Sequence, residues 1–80
     1  MNRQQLYHAL RDAGVADGIY QIAGVHEWSP VPPDFCFLRE VDDAWEVGIY
    51  ERGQYRADAR LGTETEACDR LYRLLTGRRP

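Results

Sequence analysis

Histidine and cysteine are the side chains from which a small protein most readily builds metal sites and nucleophiles, and this sequence has two of each: His8, His26, Cys36 and Cys68. Zinc calls for ligands in short-spaced pairs, and no two of these four have the spacing of a Cys/Cys or Cys/His site. No metal site is assigned. A Cys36 thiolate activated by His26 across a strand end is the nucleophilic pairing the sequence offers. Cys36, however, is flanked by Phe35 and Phe37, where burial raises a thiol's pKa and makes it inert. The neighbouring carboxylates Asp42 and Asp43 sit in a turn, which Asp favours through its own backbone hydrogen bonds, and Glu64 and Glu66 suit the positive end of a helix. The seven glycines are dispersed, with no phosphate-cradling loop among them. The expectation is a protein that is not an enzyme and carries no cofactor.

What remains is the chemistry of a surface. Trp45, Val47 and Ile49 alternate with Glu46, Gly48 and Tyr50, the period-two pattern of a strand with one face buried and one free. Tyr50 flanked by Arg39, Arg52 and Arg56 has the composition of a protein-binding hot spot, because aromatic and Arg residues are enriched there. Phe37 joins this set if its strand turns that face outward. Trp28, in a proline-rich connection, either folds back over the edge of the core or stands out as a contact residue. The partner-binding candidates are therefore Tyr50, Arg52, Arg56, Arg39, Phe37 and Trp28. For the charged residues alone, a solvated face laced with cross-strand ion pairs is the competing reading.

The elements that must position these residues follow from local signals. Asn2 can cap a helix over Arg3 to Ala13, with Leu6, Leu10 and Ala13 in one stripe and Gly14 as its stop. Asp17 and Gly18 turn into a strand over Ile19–Ala23, and the three prolines from His26 to Pro33 make an extended connection. The next strand, Phe35 to Val41, can meet Trp45–Tyr50 in either of two registers. A two-residue turn at Asp42 and Asp43 pairs Leu38 with Val47, Cys36 with Ile49, Arg39 with Glu46, Phe37 with Gly48 and Phe35 with Tyr50, which puts both Phe residues on the open face. A turn that also uses Ala44 reverses the faces and buries them. For the following hairpin, a three-residue loop Glu51, Arg52, Gly53 pairs Ile49 with Tyr55, Val47 with Ala57 and Trp45 with Ala59. It keeps apolar residues together, whereas a two-residue turn would set Val47 beside Asp58. Gly62 then ends the strands. Thr63 and Glu66 form a capping box before the stripe Ala67, Cys68, Leu71, Leu74 and Leu75, and Gly77 stops the helix.

The fold class these elements imply is α+β: a four-stranded antiparallel sheet in the order αββββα, with both helices on one face, as one domain over residues 1–80. A chain of 80 residues buries only roughly 60% of its unfolded surface, which favours a shallow binding surface over a deep active site. It is 44% hydrophobic and 29% charged, a composition that folds unaided. The net charge of −3 argues against a general nucleic-acid binder, and all ten basic residues are Arg. No apolar run reaches the ~18 residues of a membrane span, Met1 to Arg11 lacks the apolar core of a signal peptide, and the two cysteines read as reduced thiols. A cytoplasmic location is expected, with no membrane partner; a homo-oligomer stays open.

The segment WEVGIYERGQYRADARLGTETEAC, followed by LYRLL, resembles the C-terminal half of small immunity proteins encoded beside secreted bacterial toxins. Trp45, Val47, Glu51, Arg52, Gly53, then Thr63, Glu66, Ala67, Leu71, Leu74 and Leu75 carry the resemblance. It implies a cytoplasmic protein, without catalytic activity, that binds one cognate toxin domain tightly and blocks its active site. It assigns no inhibitory residue. The alternative from a different class is a small regulatory module that contacts single-stranded RNA, or another protein, through the open sheet face. Aromatic residues on an exposed sheet resemble a base-stacking platform, but the acidic balance and the absence of Lys weigh against RNA.

Overall fold

Asn2 and Gln5 start the chain's first element. The Asn2 side chain accepts from the Gln5 N–H at 2.8 Å and Gln5 Oε1 accepts from the Asn2 N–H at 2.8 Å, a reciprocal capping box. The helix that follows, α1, spans Arg3–Asp12 and ends before Gly14, whose φ of +80° a side-chain-bearing residue adopts only with strain. The computed structural model describes residues 1–29 and 32–80. A 3-10 turn at Asp17–Ile19 leads into β1, Tyr20–Ile22, shorter than the strand expected from Ile19 to Ala23. Ile19 is left exposed in the turn. The remaining elements are β2 at Asp34–Val41, β3 at Ala44–Glu51, β4 at Gln54–Leu61 and α2 at Glu64–Thr76.

The order αββββα is as read, but the sheet is mixed. Strands lie in the order β1-β2-β3-β4, and β1 runs parallel to β2 with Tyr20 opposite Cys36 and Ile22 opposite Leu38. The expectation of a purely antiparallel sheet is corrected here. Its physical reason is the connection. After Ile22 the backbone turns back at once, with the Ile22 N–H donating to the His26 carbonyl at 2.9 Å and the Arg3 guanidinium holding the Ala23 carbonyl at 2.7 Å. Residues 23–33 then have length enough to return to the end where β1 began, which a tight turn cannot do. The part of the expected extended connection at Pro30 and Val31 lies outside the described residues.

The hairpin β2–β3 has the two-residue turn. Asp42 and Asp43 have φ of 51° and 64°, and eight residue pairs run from Val41↔Ala44 to Asp34↔Glu51 without interruption. Arg39 faces Glu46, Phe37 faces Gly48 and Phe35 faces Tyr50. The hairpin β3–β4 does not have the expected three-residue loop. Arg52 and Gly53, φ 53° and 80°, form a second two-residue turn, so that Tyr50 pairs with Tyr55 and Ile49 with Arg56. The apolar pairing that favoured the longer loop is recovered farther along by a bulge. Gly48 lies opposite Ala57 but Val47 lies opposite Ala59, which leaves Asp58 as the extra residue. Gly48 makes this possible: a Cβ there would fall on the Arg56 carbonyl oxygen and 2.8 Å from the Asp58 nitrogen.

Thr63 accepts the Glu66 N–H at 3.1 Å to open α2, and Gly77, at φ 72°, closes it. Leu6 and Leu10 of α1 and Ala67, Cys68 and Leu71 of α2 form one core with Tyr20, Ile22, Leu38 and Val47 of the sheet. Both helices therefore cover the same sheet face. Arg3 ties them: its Nε lies 3.1 Å from Glu64 Oε2, which also accepts the Arg3 N–H at 2.9 Å. These bonds hold the Glu64 carboxyl below the usual carboxylate range.

Candidate functional site

The face without helices carries a second apolar layer made by cross-strand neighbours. Phe35 stacks on Tyr50 with ring centroids 4.6 Å apart and planes within 16°, and Phe37 meets Tyr55 edge-on at 5.0 Å. Tyr50 and Tyr55, paired across β3 and β4, are themselves 4.8 Å apart. The four rings form one contiguous cluster. Phe35 and Phe37 are only 4% and 2% exposed, although neither belongs to the helix-side core, whereas Tyr55 at the edge is 47% exposed. The two-residue turn thus turns both Phe residues toward the open face, as its pairing requires, but they are buried there against Tyr50, Tyr55 and Arg39, and the exposure expected of them is corrected.

Beside the rings lies a charged arrangement. The Arg39 guanidinium sits 3.9 Å from the Tyr55 centroid and 5.4 Å from that of Phe37, within cation–π range of both. Arg39 also donates from Nε and Nη2 to Glu46 Oε1, at 3.2 and 3.1 Å. The other carboxylate oxygen, Oε2, accepts from Arg60 Nη1 at 3.2 Å, and Arg60 Nη2 donates to the Val41 carbonyl at 3.3 Å. One largely buried carboxylate therefore fixes two guanidiniums side by side.

Of the six expected contact residues, Phe37, Arg39 and Tyr50 come together on this face. Arg52 stands exposed at the β3–β4 tip. Arg56 is on the opposite face, beside Ile49, where it donates to Glu51 Oε1 at 2.7 Å. The sequence reading placed it on the open side because the longer loop shifted β4 by one residue. Trp28 is 42% exposed at the far edge of the molecule; its indole N–H donates to the Asp17 carbonyl at 2.9 Å and its ring meets His26 edge-on at 5.4 Å. Tyr55 was missed for the reason that misplaced Arg56, since the three-residue loop assigned it to the core. The signal that could have found it was the Tyr50, Arg52, Gly53, Tyr55 spacing read as a two-residue turn.

Burial pushes the Cys36 thiol up and the Cys68 thiol up to about 11, which leaves neither as a thiolate near neutrality. Among the described residues no group of three or more His, Cys, Asp or Glu side chains is placed to hold a metal ion. Among the described residues no helix is long and apolar enough to cross a membrane. The surface depressions, such as that between Glu51, Arg52, Gln54 and Arg56 at the hairpin tip, are shallow and open to solvent. No protein-family model, curated protein or solved structure matches this chain.

Proposed function

We propose that this protein is a non-catalytic, cytoplasmic binding domain of the immunity-protein type, which neutralises a toxin encoded beside it by holding the toxin domain against its helix-free sheet face. The observation that carries the reading is the layer of Tyr50, Tyr55 and Arg39 laid over buried Phe35 and Phe37. Side chains so packed lose little freedom when a partner arrives, and aromatic and Arg residues held this way are efficient anchors. Arg52 stands exposed at the tip of the hairpin that carries both tyrosines. The resemblance of the Trp45–Leu75 segment to immunity proteins points the same way. Base stacking is disfavoured as the use of this face, because Arg39 already occupies a ring face of Tyr55.

Co-expression tests the proposal. If a neighbouring reading frame encodes a large secreted protein with a toxic C-terminal domain, this chain should restore growth to cells expressing that domain. It should also form with it a protein-only complex that survives nuclease treatment. Loss of the complex on nuclease treatment would indicate nucleic-acid binding instead. No rescue and no complex would refute the toxin assignment.

A further inference from the structure

The open face carries a charge imbalance. Among the described residues Glu46 is the acid paired with Arg39 and with Arg60, so two guanidiniums share one carboxylate. Each guanidinium carries five N–H donors and each commits two of them here, to Glu46 and to the Val41 carbonyl. The remaining donors belong to side chains that are 35% and 50% exposed. A net positive charge is thus held in place on a protein whose formal net charge is −3. Its immediate neighbour is the exposed Tyr55 ring.

We infer that Arg39 and Arg60 form a carboxylate-receiving fork, and that the protein partner presents an acidic side chain next to an apolar one, the acid meeting the two guanidiniums and the apolar group Tyr55. This rests on the reading of the open face as a protein-binding surface and states what the partner must bring to it. Planar guanidiniums with free paired donors match a carboxylate geometrically. Their alignment is already set by Glu46, so the partner does not have to order them. An extended polyanion is the poorer fit. Asp42 and Asp43, in the turn at the β2–β3 end of the sheet, would repel a run of phosphates, whereas a single carboxylate can land beside the two guanidiniums.

The test is a titration of the isotope-labelled protein with three probes, followed through the Arg Nε–H and Tyr ring resonances. The first is the peptide acetyl-Gly-Glu-Leu-Glu-Gly-amide, the second is the same peptide with glutamine for glutamate, and the third is octauridylate. The glutamate peptide should shift the Arg39, Arg60 and Tyr55 signals and bind about threefold to tenfold more tightly than the glutamine peptide, a margin that shrinks with added salt. Arg60→Gln should abolish that margin while the amide spectrum stays that of the folded protein. Arg73→Gln, on α2 and away from the open face, should keep it. No shift with either peptide, a margin that persists in Arg60→Gln, or tighter binding of octauridylate at these signals would overturn the inference. Equal affinity for the two peptides with the tyrosine signals still moving would remove the acid from the partner's description and leave the protein-binding face standing. Peptide discrimination without growth rescue in the toxin test would keep the fork and the protein-binding face and remove the toxin assignment.

Discussion

The two hairpins of this sheet are closed by turns of the same kind and yet end differently. Both have two central residues at positive φ, Asp42–Asp43 in one and Arg52–Gly53 in the other. The first runs eight pairs in unbroken register, and the second slips by one residue between Val47 and Gly48. A turn fixes the register only of the residues nearest it. Farther along, the core decides, and in β4 the two demands conflict: the turn puts Tyr55 on the open face, whereas the helices require Ala59 and Leu61 beside Val47 and Trp45. The bulge at Asp58 satisfies both. It therefore allows one strand to contribute an aromatic to the open face at its start and apolar residues to the helix-side core at its end.

Removing the space for the bulge should have the largest effect. Gly48→Val places side-chain atoms where the β4 backbone passes, and about 2–4 kcal/mol of stability should be lost in a chemical or thermal melt. A melt unchanged from the parent would show that the two strands part at Gly48 without cost. Next comes the product of the slip. Tyr55→Ala, and to a similar extent Tyr50→Ala, should weaken binding of the partner by about 1–3 kcal/mol in a calorimetric titration while the fold is retained. Gly53→Val tests the second turn alone, because nothing lies near a Cβ there and only its φ of 80° is at issue. A loss of about 1–2 kcal/mol in melting experiments is expected. The smallest change has the opposite sign. Asp43→Gly gives the first turn the residue the second already has at that place, and should stabilise the protein by about 0.5–1 kcal/mol.

The same contrast explains what the sequence discloses and what it withholds. Caps are local chemistry, so Asn2, Gly14, Thr63 and Gly77 mark the helices legibly, and the element order follows from them and from the turn residues. The pairing of Arg39 with Glu46 and Phe37 with Gly48 is readable because a two-residue turn fixes it. A turn that also took in Ala44 stayed open, because Phe35–Leu38 is apolar on both faces. The second hairpin misleads because its register is set twice. A single register for the whole strand can set only one of Tyr55 and Ala59 on its proper face, and apolar pairing favours the register that suits Ala59. Gly48, inside a strand, was the available sign of a bulge. The direction of β1 depends on the return after Ile22, which His26 closes locally and which Arg3, twenty residues before Ala23, holds from α1. Nor does any local pattern reveal that Phe35 and Phe37 are buried on a face without helices, since tyrosines from two other strands cover them.

The bulge at Asp58 also bears on how copies of this protein meet one another. β4 is an edge strand, paired on one side with β3, and a straight edge of its length would template the addition of a strand from a second molecule. The extra residue breaks the outward row of donors and acceptors after Ala57, so that an incoming strand finds only Gln54 to Ala57 in regular order. At the other side of the sheet β1 is three residues long, and His26 already takes the Ile22 N–H. The free edges thus offer the strand of a second copy only short regular runs, four residues on β4 and three on β1, poor templates for extending the sheet from copy to copy.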